Sequence, residues 1–430
     1  MLQTLRNAWK VPELRKRLIF TLVCLVIFRL GSAILIPFVN TDALKLALEA
    51  YDNTILGFIN MMSGGGFEQA NIFALSIQPY INASIIMQLL SVAIPALERM
   101  VKEGGEEGQK KLAAITRYAT VALGLIQGYA YYLILQRSGA IVSSLSGVYV
   151  ALVIILTFTA GTAFIMWLGE QITENGVGNG ISIILFAGII SRAPALINNA
   201  IGGLSSGSLS WVALIGLIVV FLAIVALIVY MNDAERRIPI QYAKKMVGRK
   251  MYGGRATHLP VKVSMSGVMP IIFASSICTL PATIMAFFPQ PVAGTFWYKM
   301  QTYVFSPSSW IYAVVYLLMI VLFSYFYTAI QYNPVEIANN LKNNGGFIPG
   351  FRPGRPTSDF ITKVLNKVTL FGAIFLGIIA IIPIIIGNIG SMQGLAIGGT
   401  SIMIVVGVAL ETVKQLESQL TMRNYKGFLE

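Results

Sequence analysis

The stretch PYINASII at residues 79–86 has a counterpart, PIIFASSI, at residues 270–277, and both fit the pattern P-x-I-x-A-S-x-I. A second pair, GISIILFAG at 180–188 and GTSIMIVVG at 399–407, fits G-x-S-I-x-[LI]-x-x-G. Each pair joins a segment of the first half of the chain to a segment of the second half. The two pairs indicate an internal repeat that divides the chain near GGLSSGSLS at residues 202–210.

The composition around these motifs is that of a membrane protein. Apolar residues make up 56% of the 430 residues and charged residues only 11%, whereas an ordinary soluble domain carries about 25% charged residues. A soluble protein of this size could not hide so much apolar surface in its core. Disordered, disulfide-rich and fibrous classes are excluded by the same numbers.

Ten apolar runs are long enough to cross a bilayer as helices. They lie at 18–37, 71–95, 111–135, 148–170, 181–201, 210–232, 266–289, 309–331, 367–387 and 395–413. Five spans in each half insert the second half upside down relative to the first. The sequence therefore predicts an all-α polytopic membrane protein with ten transmembrane helices in two inverted five-helix halves, residues 1–203 and 204–430.

The basic residues predict the orientation of these spans. Most of the 31 lysines and arginines lie in the N-terminal arm, in the loops after even-numbered spans, and in the C-terminal tail. By the positive-inside rule this side is cytoplasmic, and both termini are on it. Two of the basic loops, 233–265 and 332–366, are long. They are interpreted either as topology anchors or as a docking surface for a large cytoplasmic partner, and an RNA-bearing partner would suit them because lysine and arginine bind phosphate.

The repeat also pairs individual positions on the spans that meet around its pseudo-twofold axis. It pairs Ile81 with Ile272, Ile85 with Ser276, Ile181 with Thr400, and Leu185 with Ile404. Most of these residues are branched aliphatics, whereas ion and proton pathways carry intramembrane ionisable groups. A narrow apolar constriction excludes ions by dewetting and binds nothing. The alternative is that these residues are ordinary core or lipid-facing side chains.

The segment at 54–66 is a short apolar stretch that ends in Gly64, Gly65 and Gly66. It is too short to cross the membrane. Three consecutive glycines make a flexible joint. We interpret the segment as a short half-helix that can move on this joint; an external amphipathic loop is the alternative.

An apolar constriction favours a passive channel, and two other classes of protein are alternatives. A secondary transporter also uses inverted repeats, but its midplane should carry polar or charged residues. An intramembrane enzyme needs a catalytic constellation, yet the one histidine, His258, stands in a loop, and Cys24 and Cys278 form no redox or metal pattern. No nucleotide-binding loop is present. We therefore expect no enzymatic activity, no cofactor and no metal. The energy for transport is expected to come from a partner.

Six motifs along the chain resemble the SecY family, the channel subunits of the bacterial Sec protein translocon. They are PYINASIIMQLL (79–90), MWLGEQITENGVGNGISIILFAGI (166–189), ATHLPVKV (256–263), GVMPIIFASSI (267–277), NPVEIANNLKNNGGFIPGFRPG (333–354) and GGTSIMIVVGVALETVKQLESQL (398–420). The resemblance covers essentially the whole chain. It implies a protein-conducting channel with a clamshell hinge between the fifth and sixth spans.

By position, the resemblance also implies roles for individual residues. The pore ring falls on Ile81, Ile85, Ile181, Leu185, Ile272 and Ile404; Leu185 replaces the isoleucine common in the family and keeps the lining apolar. Segment 54–66 corresponds to the plug, with Gly64, Gly65 and Gly66 as its hinge. Spans two and seven correspond to the lateral gate, where Ser84, Gln88 and Ser275 are candidate gate residues. For Gln88, a role in packing between spans is equally open.

The partners that the resemblance implies are the SecE and SecG subunits, the SecA ATPase, the ribosome through its rRNA, the translocating polypeptide and the lipid bilayer. The implied location is the bacterial plasma membrane. SecA or the ribosome would contact the two long loops, and Arg352 in FRPG stands at the position of the family's key loop arginine. The candidate contact residues are Arg236, Arg237, Lys244, Lys245, Arg249, Lys250, Arg352 and Arg355.

Overall fold

A computed structural model describes residues 2–49, 63–142, 147–207, 210–242, 245–247, 250–252, 256–264, 267–285, 295–304, 309–388 and 399–426. Helices dominate these residues. Their bounds in the first half are α1 Leu2–Lys10, α2 Pro12–Gly31, α3 Thr41–Glu49, α4 Gln78–Ala93, α5 Pro95–Glu103, α6 Gly105–Arg137, α7 Gly147–Asn175, α8 Gly180–Ser191 and α9 Ala193–Ser205. In the second half they are α10 Trp211–Asp233, α11 Met269–Met285, α12 Phe296–Lys299, followed by a π-helical turn at Met300–Val304, and then α13 Trp310–Gln331, α14 Pro334–Asn343, α15 Arg355–Asn388 and α16 Gly399–Lys426.

Several of these helices are long and apolar enough to cross a membrane. Among the described residues they are Gly105–Arg137, Gly147–Asn175, Gly180–Ser205, Trp211–Asp233, Trp310–Asn343 and Arg355–Ile382. A seventh span results if α4 and the adjoining Pro95–Val101, which bend by 102° relative to each other, are counted as one. The prediction of a polytopic helical membrane protein is thereby confirmed, and the ten-span count is consistent with it.

The helices at the other predicted spans have physical features that set them apart. Helix α2 opens with Pro12 and carries charged residues in its first turns and Arg29 near its end. Helix α11 has a shorter apolar stretch, Met269–Cys278, and contains Pro281 in its interior. Helix α16 begins apolar and continues into a charged extension. Charges and an internal proline lower the hydropathy or the length of a span without excluding it from the membrane.

The two long basic loops meet in one small sheet, which the helical prediction did not include. Its strands are β1 Glu235–Tyr242, β4 Ala256–Lys262 and β5 Gly346–Phe347, and a separate hairpin consists of β2 Lys245–Val247 and β3 Lys250–Tyr252. Strand β1 is central and antiparallel to both neighbours, with Ile238 opposite Leu259 and Gln241 opposite Phe347. The sheet therefore ties loop 233–265 to loop 332–366.

A separate hydrophobic core lies beneath this sheet. It contains Ile238, Ile240, Val261, Leu341, Ile348, Ile361 and Leu365, all buried. Ile238 and Ile240 point to the same face because side chains alternate along a strand. A loop that served only as a topology anchor would need no hydrophobic core of its own. The two loops therefore form a folded unit with a defined surface.

The outer faces of the spans are apolar and exposed. On α10, for example, Val212 is 81% exposed and Ile215 is 58% exposed. Exposed apolar faces of this extent are expected where lipid, not water, surrounds the helix.

In the described part of the chain, the contacts between the two halves include two pairs of spans. Helix α4 packs against α11, and α8 packs against α16. The N-terminal helix α1 also lies along the end of α16, where the Thr4 hydroxyl donates a hydrogen bond of 2.8 Å to Glu417. These contacts bring together the segments that the repeat motifs marked.

Candidate functional site: an apolar constriction and its gate

The six predicted ring residues lie in one hydrophobic cluster. Ile81 and Ile85 come from α4, Leu185 from α8, Ile272 from α11 and Ile404 from α16, and all five are buried. Ile181, on α8, is half-buried and packs against the same cluster. Four helices from both halves thus contribute branched aliphatic side chains to one apolar cluster. An apolar constriction excludes water without holding an ion or solute.

The position of α8 depends on its N-terminal cap. The Asn179 side chain accepts hydrogen bonds from the backbone N–H groups of Ile181, at 3.1 Å, and Ser182, at 3.3 Å. Asparagine is favoured here because it pairs N–H groups that have no partner inside the helix. The cap fixes the first turn of α8, and Ile181 belongs to that turn.

Close packing against α7 fixes the same end of α8. A Cβ atom on Gly180 would lie 1.9 Å from the Gly169 carbonyl oxygen, so only glycine fits at this crossing. Gly180 also donates its backbone N–H to the Thr173 hydroxyl at 2.9 Å. On the other side, Gly178 has a positive φ of 79°, and a side chain there would meet Ile183 and Thr412 of α16. These glycines let α8 sit tightly between the two halves.

The candidate gate residue Gln88 makes a hydrogen bond between the halves. Its side-chain nitrogen donates to the Ser84 hydroxyl at 3.3 Å, one turn earlier on α4. Its side-chain oxygen accepts from the Tyr327 hydroxyl of α13 at 3.0 Å. Because Gln88 belongs to the first half and Tyr327 to the second, this bond has to break if the two helices separate.

The third gate candidate, Ser275, is not part of this hydrogen-bond pair. Its hydroxyl donates to the backbone carbonyl of Ile272, one turn earlier on α11, at 2.8 Å, and the residue is buried. Between α11 and α13 the contact is aromatic, since the Phe273 ring lies 5.1 Å from the Tyr327 ring. The candidate gate therefore combines a polar contact with apolar packing among the described residues.

The predicted plug is described only in part. Residues 54–62 lie outside the described residues. Within the described part, Gly64 and Gly65 adopt positive φ angles of 68° and 86°. A Cβ on Gly64 would meet the Ser191 hydroxyl and the Gly188 carbonyl within 3 Å, whereas Gly65 stands in open space. Gly66 is covered by the Asn71 side chain, 2.7 Å from where its Cβ would be. The three hinge candidates thus have different surroundings.

The predicted docking residues lie on the sheet and on the loop beside it. Arg236 and Arg237 are exposed on β1, and Arg237 pairs with Glu235 at 2.7 Å. Lys245 begins β2 and Lys250 begins β3, whereas Lys244 and Arg249 lie outside the described residues. Arg352 and Arg355 are exposed on the second loop.

The geometry around Arg352 presents its side chain to solvent. Gly350 and Gly354, with φ of 88° and 104°, turn the chain on both sides of it. The Thr357 hydroxyl donates to the Arg352 carbonyl oxygen at 2.8 Å, and the rings of Phe351 and Phe360 lie 4.2 Å apart. The backbone is therefore fixed while the guanidinium group remains accessible.

The Arg117 side chain of α6 pairs with Glu170 of α7 at 2.8 Å, within the first half. Among the described residues there is no group of three or more His, Cys, Asp or Glu side chains close enough to hold a metal ion.

Two contributing residues were missed by the sequence analysis. Tyr327 lies in the aromatic run of α13, and nothing in its local pattern indicates the distant Gln88. Tyr131, on α6, donates its hydroxyl to the Phe67 carbonyl just after the glycine hinge. Both are tyrosines inside apolar helices, where a hydroxyl needs a partner, and this was the available signal.

Known proteins of one family match this chain along its length. The SecY family model matches residues 71–413. The protein translocase subunit SecY of Streptomyces scabiei is 44% identical, and the alignment covers 100% of both chains. The protein of the same name from Bacillus licheniformis is also 44% identical, and that from Mycobacterium tuberculosis 41%, again with complete coverage of both chains.

Solved structures support the same fold. One described as a protein-conducting channel has a TM-score of 0.64 at 20% identity, covering 96% of each chain. Another, of a SecY protein whose plug domain is described as stabilising the closed state of the channel, has a TM-score of 0.65 at 18% identity and the same coverage. Canine Sec61 in a ribosome–channel complex has a TM-score of 0.59 at 18% identity. With the family model and the curated relatives, these findings establish that the chain belongs to the SecY family.

Proposed function

We propose that this chain forms a protein-conducting channel in the bacterial plasma membrane, with both termini in the cytoplasm. Unfolded polypeptides cross the membrane through the ring, and hydrophobic segments leave sideways into lipid. The observation that carries this proposal is the convergence of six aliphatic positions, from four spans of both halves, in one apolar cluster. The halves are residues 1–203 and 204–430.

An aliphatic ring suits a substrate of variable sequence. Side chains such as Ile81 and Ile404 offer a passing polypeptide no hydrogen bond or charge, so no particular sequence is held in the channel. They also surround a chain of changing width, since the contact between them is apolar and non-directional. In the resting state the ring and the plug at 54–66, hinged at Gly64–Gly66, keep the pore closed to ions.

Sideways release follows from the position of the gate. When α4 separates from α11 and α13, the pore opens toward lipid. A hydrophobic segment that becomes helical satisfies its own backbone hydrogen bonds there, and its apolar side chains favour the bilayer. The chain passing through the ring is thus sorted by its own hydropathy.

The energy for movement comes from partners at the cytoplasmic surface. SecA or a translating ribosome docks on the sheet and on the loop that carries Arg352, where exposed arginines suit carboxylates or rRNA phosphates. SecE and SecG complete the membrane complex against exposed apolar spans. The channel itself carries out no chemical step.

The first prediction concerns the path of the substrate. We expect a photo-reactive amino acid at position 81 to cross-link to a polypeptide arrested during transport, because the ring surrounds the moving chain. The same probe at Ile215, which is 58% exposed on the outer face of α10, serves as the matched control. Gel analysis of the adducts is the measurement. Equal adducts at both positions, or none at position 81, would contradict a path through the ring.

A second prediction concerns the seal. We expect Ile404→Ser to raise the resting ion conductance in planar bilayers, because a hydroxyl at the ring favours water in the constriction. Ile402→Ser is the control: it makes the same change on the same helix, at 6% exposure compared with 1% for Ile404. Conductance that is unchanged in Ile404→Ser, or equally raised in both variants, argues against a seal at this position.

The hydrogen bond between Tyr327 and Gln88 generates a third prediction. We expect Tyr327→Phe to increase transport of substrates with weakened signal sequences, because opening of the gate no longer requires this hydrogen bond to break. A net contribution of about 1 kcal/mol corresponds to roughly a fivefold shift in the gate equilibrium.

The control for the gate experiment is Tyr325→Phe. The Tyr325 hydroxyl donates to the Asn366 carbonyl at 3.1 Å, and this contact lies within the second half. Opening of the gate leaves that bond intact, so signal-sequence selectivity should not change. Identical transport by Tyr327→Phe and the unmodified channel would assign Gln88 to packing between spans.

The fourth prediction concerns docking. We expect Arg352→Glu to reduce SecA-driven transport strongly in reconstituted vesicles while the thermal stability of the complex stays unchanged, because the side chain is exposed and its backbone contacts do not involve the guanidinium. Lys45→Glu, the same charge reversal on the predicted outer side, should leave transport unchanged. Normal SecA-driven transport in Arg352→Glu would remove this residue from the docking surface.

A further inference from the structure

Residues 67–77, here called the anchor segment, follow the glycine hinge and precede α4. They form a series of turns and not a regular helix. Most of their apolar side chains are buried: Phe67, Ala70, Phe73, Ala74, Leu75 and Ile77. Phe67, Ala70, Ala74 and Leu75 pack with residues of α6 and α7 in a second cluster, apart from the ring. The segment is therefore part of the core of the first half.

Tyr131 of α6 joins the start of the anchor segment to this core. Its side chain is 1% exposed, and its hydroxyl donates to the Phe67 carbonyl. The two rings make an edge-to-face contact at 4.3 Å, and the Tyr131 ring makes a second such contact with Phe158 of α7 at 4.7 Å. The other donor to this carbonyl, the Ala70 N–H, belongs to the segment itself, so the Tyr131 hydroxyl is the hydrogen bond that ties the backbone at Phe67 to α6.

The middle of the anchor segment is bound to the chain after α2. The Asn71 side-chain nitrogen donates to the Ser32 carbonyl at 2.7 Å. Backbone bonds of 3.0 Å run from Ile36 to Ala70 and from Ile72 to Ile34, on both sides of a bridge between Leu35 and Asn71. Gly161 of α7 packs against the Ile72 carbonyl so closely that a Cβ would lie 2.1 Å from it.

Backbone conformation gives an independent indication that the segment is held in place. Ala70 and Ser76 have φ of 46° and 51°. Non-glycine residues in the left-handed region are unfavourable by roughly 1–2 kcal/mol, and they persist where the surroundings determine them. The Phe67 carbonyl accepts from Ala70, and the Phe73 carbonyl accepts from Ser76 at 2.7 Å. Two strained residues within seven positions indicate a rigid support and not a moving linker.

We propose that the anchor segment stays fixed to the first half while the channel opens, and that Tyr131 is the positioning residue that holds its start. Any displacement of the preceding chain then occurs at Gly64 and Gly65, whose positive φ angles and, for Gly65, open surroundings allow it. Correct placement of the hinge is what makes the resting channel tight. This inference rests on the proposed function and adds the element that locates its plug.

The first test removes one hydroxyl in the complete membrane complex. We expect Tyr131→Phe to raise the resting ion conductance severalfold, because the Phe67 carbonyl keeps only the local N–H of Ala70 and loses the donor that ties it to α6, so the hinge is no longer precisely located. Tyr132→Phe is the matched control: Tyr132 is the adjacent buried tyrosine of α6, and its ring stacks with Tyr129 of the same helix at 6.4 Å. Conductance of Tyr131→Phe equal to that of Tyr132→Phe would overturn the proposal.

The second test links the anchor segment covalently to the first half. Leu35→Cys and Asn71→Cys place two cysteines at the bridged positions, where facing residues lie close enough for a disulfide. Cys24 and Cys278, the natural cysteines, are replaced by alanine in this background. We expect oxidation to leave polypeptide transport at the rate of the reduced protein, because the segment does not move. Transport that stops on oxidation and returns with reductant would overturn the proposal.

Combining the two tests separates positioning from a general loss of stability. Oxidation of the cysteine pair should restore low conductance in Tyr131→Phe, since the disulfide replaces the missing tether. A leak caused only by a weakened fold would persist after oxidation, and that outcome also counts against the proposal. The unmodified channel must transport polypeptide in the same assay; if it does not, the proposed function fails before the anchor is judged.

Discussion

The apolar contact between the two halves is the constraint on which the rest of this structure depends. It has to exclude water when the halves are together and yet separate without the loss of many directional bonds. Branched aliphatic side chains meet both needs, because their attraction is non-directional and scales with the area removed from water. A ring of hydrogen-bonded or charged residues would bind ions at rest and hold parts of the substrate in transit.

The distribution of polar contacts is consistent with this constraint. Within the first half, Arg117 pairs with Glu170, and within the second half Lys414 of α16 pairs with Asp233 of α10 at 2.5 Å. In the described residues, side-chain hydrogen bonds between the halves include those of Gln88 with Tyr327 and of Thr4 with Glu417. Each half is thus stiffened internally by polar contacts, and the halves meet mainly through apolar ones. A partner that binds slightly better to the open channel than to the closed one then suffices to shift the equilibrium between these two conformations.

The sequence alone predicted the membrane class and the segments that build the constriction, because both depend on local properties. Composition identifies lipid-exposed helices, and the repeat motifs mark α4, α8, α11 and α16. The small sheet formed by the two long loops was missed, although the alternation of Ile238 and Ile240 in RRIPIQY is a period-two signal. It was missed because the same stretch also contains charged residues and a proline, and this mixture is equally typical of a loop. Tyr131 and Tyr327 could not be placed from the sequence, because their partners lie 64 and 239 residues away.

The contrast between the ring and the anchor segment follows from the same physics. The ring consists of side chains on helices, whose backbone groups are bonded internally, so helices can separate without leaving unpaired N–H or C=O groups. The anchor segment consists of turns, whose backbone groups need partners from elsewhere: Tyr131, Asn71 and the chain after α2 supply them. To move, such a segment would have to expose buried polar backbone, at a cost for each unpaired group. Parts of this channel that have to move are therefore expected to be helices with apolar contacts or glycine joints. Irregular backbone beside the pore is expected to stay in place.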